Sequence, residues 1–416
     1  MKKKHRFKGA FRANEKGYGF LELEDENAED IFIPANSTKG ALNGDIVECV
    51  IIKPKQKDRR AEGKIVKIGQ DLDVSADCEI VDAEGLHVYP GFIDAHSHVG
   101  TMGSGIGFEG DDVNEMTDIL TPQLRIIDGI LPMDIVFEEA REGGVTTVCT
   151  GPGSANVVGG TFVAMKTVGK RVDDMVINDR IAMKCAFGEN PKRCYRDKNN
   201  YSRMSTAAKL REILFKTQEY DAKIKAAGDD VTKRPPFDFK LEAMLPVIRR
   251  EIPLKAHAHR ADDMFTALRI AKEFNVRITL EHVTEGSLIV DELAKENVML
   301  AVGPTLSHRT KFELKNLSFK TPGDLANAGC HVSIITDAPV IPQQYLRLCA
   351  GLAVKEGMNE FDALKAITIH PAEHAGIEDR VGSLEVGKDA DIVLMDGSVF
   401  ESMSNVVATY IDGKRV

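Results

Sequence analysis

From residue 91 to about residue 370 the chain alternates between short apolar runs and longer segments with helical periodicity. The apolar runs cover 91–95, 144–150, 180–187, 254–259, 277–282, 298–302 and 331–337. Between them, 133–142, 206–225, 263–273, 288–296 and 360–368 carry apolar residues at three- and four-residue intervals and read as helices. A strand buried on both faces loses the in-out alternation of a half-exposed one. Apolar strands separated by helix-length segments therefore predict a parallel sheet with crossover helices. Residues 392–394 and 406–416 return as strands. The first 68 residues follow another rhythm, with short runs at 7–12, 17–23, 30–34, 45–52 and 63–68 separated by turn residues such as Asn43-Gly44. Five short strands predict a small OB-type β-barrel.

Composition changes this picture little. A chain of 416 residues exceeds the usual size of one core, so more than one domain is expected. With 43% hydrophobic and 28% charged residues, it falls in the globular class rather than the disordered one. No apolar run reaches the length of a membrane span. The basic start, Met1-Lys-Lys-Lys-His-Arg6, lacks the apolar stretch of a secretory signal. Seven cysteines stand singly, with no Cys-x-x-Cys, which predicts a reducing, cytoplasmic setting. Charge is divided unevenly. Residues 1–70 hold 15 Lys and Arg against 11 Asp and Glu, and the remainder holds 39 against 53. A basic head on an acidic body allows nucleic-acid contact by the head without requiring it.

The head carries Lys16-Gly-Tyr-Gly-Phe20 and Asp30-Ile-Phe-Ile-Pro34. These resemble the two RNA-contact motifs of cold-shock domains, and residues 6–68 resemble the N-terminal cold-shock-like domain of RNase R-type exoribonucleases. The resemblance implies single-stranded RNA as a partner, with Tyr18, Phe20 and Phe32 as a base-stacking platform and Lys16 on the phosphates.

The chemistry gathers at the ends of the predicted barrel strands. Val88-Tyr-Pro-Gly-Phe-Ile-Asp-Ala-His-Ser-His98 is an apolar strand ending in a His-x-His pair, and residues two apart on a strand point to the same face. A second such pair closes Leu254-Lys-Ala-His-Ala-His259. Ile278-Thr-Leu-Glu-His282 and Ser333-Ile-Ile-Thr-Asp337 end in a histidine and an aspartate. Imidazole nitrogens with one carboxylate oxygen suit a borderline metal such as Zn²⁺.

Pro90-Gly-Phe-Ile-Asp-Ala-His-Ser-His98 resembles the first barrel strand of the amidohydrolase superfamily, and the imidazolonepropionase-like members are most similar. Val381-Gly-Ser-Leu-Glu-Val-Gly-Lys-Asp-Ala-Asp-Ile-Val393 matches that superfamily where the chain returns to its small β-domain. The resemblance implies an α/β protein: a (β/α)8 TIM barrel over 90–380, a small β-sandwich from 69–89 and 381–416, and the OB-like unit at 1–68. Glu62-Gly-Lys-Ile-Val-Lys-Ile-Gly69 satisfies both resemblances, so two families meet in one segment.

By the same resemblance, His96, His98, His257 and His282 bind metal. Asp337 binds metal or accepts the proton of the attacking water, and His259 faces substrate. The catalytic set is then Asp337, His282 and His259, the cofactor one or two divalent ions, most suitably Zn²⁺, and the substrate a small-molecule amide, cyclic amide or dipeptide. Where relatives hold a second metal, a carboxylated lysine or a glutamate bridges the two. Glu189 is the second-metal candidate here, and Lys184, Lys240 and Glu242 remain open. Asn156, in the Gly-rich stretch 151–160, and Arg193, Arg203, His308 and Arg309 are candidates for the substrate's polar groups, since arginine grips a carboxylate with two parallel bonds. His370 and His374 read as structural. A homo-oligomer is compatible with all of this. The rival reading is an RNA-binding protein whose barrel is inert.

Overall fold

The computed structural model describes residues 7–13, 19–23, 31–33, 46–49, 80–104 and 107–416. In the head, β1 (Phe7–Ala13), β2 (Gly19–Leu23), β3 (Ile31–Ile33) and β4 (Ile46–Cys49) form an antiparallel sheet in the order β3-β2-β1-β4. Phe20 and Phe32 are register partners across β2 and β3. Lys16, Tyr18, the fifth predicted strand and the segment 62–69 lie outside the described residues.

After β5 (His87–Pro90), the barrel strands are β6 (Phe92–Ser97), β7 (Val145–Thr150), β8 (Val158–Lys166), β9 (Val176–Ala186), β10 (Leu254–Ala258), β11 (Ile278–His282), β12 (Leu300–Val302) and β13 (Val332–Ile334). They make one eight-stranded sheet in sequence order. Its two ends meet where the Asp337 N–H donates to the His96 carbonyl (3.2 Å) and the His98 N–H to the Ala338 carbonyl (2.7 Å). The result is a TIM-barrel-like α/β fold with its helices outside. Apolar residues of 203–227, 239–248 and 261–274 pack on β9 to β12.

One strand departs from the all-parallel expectation. β8 runs antiparallel to both neighbours, while β6 and β7, and β9 through β13, pair in parallel. Only residues 151–157 separate β7 from β8, and a parallel return needs a crossover of about a dozen residues or more. The chain therefore turns straight back. All nine residues of β8 are buried. Gly159 and Gly160, expected in a loop, lie inside this strand. Gly160 has φ +119°, and a Cβ there would meet the Leu124 carbonyl oxygen at 2.4 Å. Only glycine lets the 120–125 segment run alongside.

Among the described residues the small domain forms a four-stranded antiparallel sheet, β16-β15-β14-β5, adding β14 (Ile392–Met395), β15 (Val406–Ile411) and β16 (Lys414–Arg415). Residues 69–79 of the expected sandwich lie outside the described residues; the described sheet packs on the barrel, with Val393, Met395 and Val399 in one core with Phe92 and Phe137. The Asp389-Ala-Asp391 signature has a structural use there. Buried Lys166, at the end of β8, lies 2.8 Å from Asp391, 3.2 Å from Asp389 and 3.4 Å from Asp412. These pairs clasp the sheet to the barrel. Removing the lysine would take the cation from buried Asp391, while Asp389 would keep Arg380 at 2.7 Å.

Candidate metal centre

At the C-terminal mouth of β6, β10, β11 and β13, six of the residues singled out from sequence come together. Centroid separations are 5.3 Å for His96–His98, 4.9 Å for His96–His282, 4.3 Å for His257–His282 and 4.7 Å for both His257–His259 and His259–His282. Asp337 completes the group, with Oδ1 3.2 Å from His98 Nε2 and 3.8 Å from His96 Nε2. His282 (φ +74°) and Asp337 (φ +54°) both adopt left-handed backbone. That conformation costs a non-glycine residue roughly 1–3 kcal/mol and occurs chiefly where surrounding structure fixes a functional geometry.

Hydrogen bonds decide which nitrogens are free. The His98 Nδ1–H donates to the Gly151 carbonyl (2.7 Å), and the His282 Nδ1–H to the Gly303 carbonyl (3.0 Å). A carbonyl accepts only, so each ring keeps its proton on Nδ1 and offers an Nε2 lone pair. His96 Nδ1 is held by Glu281 Oε2 at 2.7 Å, which leaves Nε2 as a lone pair that meets Lys184 Nζ at 3.1 Å. Gly151 must be glycine for this arrangement, since a Cβ would meet the Phe162 ring at 2.1 Å.

His98 Nε2 and Asp337 Oδ1 thus face each other as two acceptors. His257 Nε2, His282 Nε2 and Asp337 Oδ1 are buried without hydrogen-bond partners. Lone pairs converging in a dry pocket are unfavourable unless a cation lies among them. The residues fit a divalent metal, and His257/His259/His282 and His96/His282/Asp337 each have ligand atoms within 4.8 Å of one another. Burial, followed by the neighbouring Lys184 for His96 and by neighbouring histidines for His257 and His282, holds these imidazoles well below their ordinary range. His259 is pushed down to about 3 by burial and Lys311. Burial opposes ionisation of Asp337, but the field of His282, whose Nδ1–H lies 3.9 Å from Oδ2, outweighs it and holds the carboxyl well below its usual range. Neutral imidazoles and an ionised carboxylate are the forms that bind metal.

Several residues that the sequence did not single out support this cluster. Glu281 binds His96 through Oε2, which also lies 2.8 Å from Lys255 Nζ; its Oε1 accepts from Thr279 (2.7 Å) and His374 (3.0 Å). Buried Asp94 accepts from the His96 N–H (3.0 Å) and the Gln343 side chain (2.8 Å). Glu313, on the loop after β12, sets Oε1 3.8 Å from Nε2 of both His257 and His259 and pairs with Lys311 at 2.7 Å. A signal for part of this was present. The period of two that pairs His257 with His259 also places Lys255 on their face.

Of the bridging candidates, Lys184 is fully buried on β9 with Nζ 3.1 Å from His96 Nε2, and burial pushes its ammonium down to about 8. Glu189 opens the helix 189–194, and its N–H donates to Glu313. Lys240 and Glu242 sit on the outer helix 239–248, where Lys240 pairs with Asp118 and Glu242 accepts from Tyr220 (2.6 Å). Among the described residues, neither joins the histidine cluster.

The substrate candidates also divide. Asn156 is buried, and its amide donates to the Glu115 and Asp118 carbonyls, both at 2.8 Å, so it ties down the 115–121 segment. Arg203 pairs with Asp263 at 2.9 Å. Arg309 braces its own loop through the Lys315 and Leu317 carbonyls. Arg193 and His308 are exposed.

The comparisons identify the family of each part of the chain. The Amidohydrolase family model matches residues 87–416, and the Ribonuclease B OB domain model matches 9–68. A solved amidohydrolase from Thermotoga maritima MSB8 is 42% identical, with TM-score 0.83, covering 86% of this chain and 93% of its own. An imidazolonepropionase of Symbiobacterium thermophilum is 23% identical over 86% of this chain and 87% of its own length. Amidohydrolase tasK of Hapsidospora irregularis is 28% identical over 84% of this chain, which spans only 39% of that relative's length. In the head, Ribonuclease R 2 of Lactococcus lactis is 42% identical over 65 residues, covering 15% of this chain and 10% of that protein. Among the described residues no helix is long and apolar enough to cross a membrane. With its strand-end histidines and aspartate set as above, this chain belongs to the amidohydrolase family and is a hydrolase.

Proposed function

We propose that the barrel is a metal-dependent hydrolase that cleaves a carbon–nitrogen bond in an amide, cyclic amide or dipeptide, using an activated water. The observation that carries the reading is the convergence, in a buried pocket, of unpartnered His257 Nε2, His282 Nε2 and Asp337 Oδ1, the last facing His98 Nε2 at 3.2 Å. His96, His98, His257, His282 and Asp337 would hold the metal. When bound, such an ion lowers the pKa of water towards about 7 and polarises the substrate carbonyl. The protein supplies the rest. Asp337 Oδ1 takes the proton of the attacking water and returns it to the leaving nitrogen. His259, fixed by Thr284 Oγ1 at 2.7 Å, stands beside the ligands and faces the substrate. The Glu313–Lys311 pair borders the same space and offers a charge of either sign to a polar substrate. Of the bridging candidates, Lys184 lies within hydrogen-bonding distance of a ligand and is the residue we assign to a second ion.

Metal analysis of the purified protein, followed by a screen of N-acyl amino acids, dipeptides and ring amides, tests this reading. About one to two equivalents of a divalent ion are expected, and they should be lost from His96→Ala/His98→Ala. Full metal retention by that double variant, or no turnover of any of the three substrate classes by metal-replete protein, refutes it. The match to the Ribonuclease B OB domain supports a second property, single-stranded RNA contact by the head through Lys16, Tyr18, Phe20 and Phe32. A gel shift with and without residues 1–68 tests that separately.

A further inference from the structure

His331, His370 and Glu373 form a second group of potential ligands, with ligand atoms within 4.8 Å of one another. The group sits at the opposite end of the barrel. His331 precedes β13 and Asp337 follows it, so the length of that strand lies between the two groups. His370 and Glu373 are one turn apart on the helix Ile369–Ala375 and so share a face. Their geometry is that of a metal site rather than of scattered surface groups. The His370 Nδ1–H donates to the Val332 carbonyl (2.9 Å), which orients the ring and leaves Nε2 as a lone pair. A hydrogen bond of this kind to the second ring nitrogen is what fixes metal-ligating histidines. The His331 ring lies 4.2 Å from that of His370, and its Nε2 is 2.6 Å from Glu373 Oε2. His331 Nδ1 is buried without a partner, so Glu373 alone holds the ring proton on Nε2. The side chains of His331 and Glu373 are 28% and 38% exposed, so an ion can reach them from solvent.

We propose that His331, His370 and Glu373 bind one divalent cation of the zinc class, separate from the catalytic centre, with solvent completing its coordination. Two imidazoles and a carboxylate with an open fourth position are a donor set that zinc accepts. The cation takes the place of the proton between His331 Nε2 and Glu373 Oε2. That proton moves to His331 Nδ1 or to solvent, and no other bond changes.

Two measurements on the full chain test the proposal. Diffraction data from crystals soaked in zinc, collected on both sides of the zinc absorption edge, should show an anomalous peak among these three side chains. Titration with Co²⁺, followed by its visible absorption, should show about one more equivalent for the wild type than for His370→Gln or Glu373→Gln, with affinity at this site lowered at least about tenfold in either variant. The equivalents at the catalytic cluster should be unchanged in both. A peak at the catalytic cluster alone, or equal stoichiometry in all three proteins, overturns the proposal and leaves an ordinary histidine–carboxylate pair. If one variant folds poorly, the other variant and the wild-type anomalous map still distinguish the two outcomes.

Discussion

Replacing Glu281 by glutamine tests how the catalytic cluster is supported. Four donors converge on this buried carboxylate: Thr279 and His374 on Oε1, His96 and Lys255 on Oε2, at 2.7 to 3.0 Å. Burial raises the cost of its charge, but Lys255 and His374 overcome that and hold the group well below the usual range. A carboxamide keeps one accepting oxygen and turns an NH2 towards the other two donors. Whichever way it flips, one side becomes donor against donor. Lys255 is 1% exposed and would lose its nearest counter-charge, a loss worth about 3–5 kcal/mol when a buried pair is broken from one side. Freed of its Glu281 acceptor, His374 can move its proton to Nδ1 and accept through Nε2 from Lys255 Nζ, 3.0 Å away, which places the expectation near the lower bound, about 3 kcal/mol. His96 would also lose the anchor that directs its Nε2 to the centre, and loss of such a partner lowers metal affinity by about 10- to 100-fold. Urea denaturation of metal-free protein reads the first effect, and competition against a chelator reads the second. The two separate in Glu281→Gln/Lys255→Met, which should recover most of the stability and none of the affinity. A Glu281→Gln variant within about 1 kcal/mol of wild type, or one with unchanged affinity, refutes the reasoning.

Three further outcomes are expected. Asp337→Asn should remain folded, because only one oxygen of the acid is replaced, yet lose about 10²-fold or more in kcat; near-normal turnover by a folded variant would end its assignment as proton acceptor. Lys184→Met should fold, since a buried amine is exchanged for an apolar chain of similar length, and should lower bound metal by about one equivalent if the lysine bridges two ions; an unchanged metal count would assign the bridge elsewhere. In the head, alanine at Tyr18, Phe20 or Phe32 should each weaken single-stranded RNA binding by about 1–3 kcal/mol, and rising salt should weaken it further; no affinity at low salt in the intact chain would exclude the RNA reading.

The legible part of this protein is the part that depends on local geometry. A strand repeats every two residues, so His96 and His98, and His257 and His259, declare a shared face from spacing alone. Apolar runs separated by helical segments indicate a barrel-like α/β fold, and residues 392–395 and 406–411 return as strands where the apolar pattern places them. β8 was not legible: Gly159 and Gly160 break the apolar pattern, and only the structure shows that seven residues, too few for a crossover, separate it from β7.

Tertiary structure alone decided what supports the cluster. Glu281 and His96 are 185 positions apart and His374 lies 93 positions beyond Glu281, and nothing local links them. Lys184, one of the open bridging candidates, and Lys255, which nothing in the sequence singled out, are register partners on β9 and β10. Closing the sheet turned that face inward. It brought Glu281 to Lys255, set Lys184 against His96, and made partners of charges that the linear sequence keeps apart. Local periodicity selects which face a side chain occupies; only the closed barrel determines what it meets there.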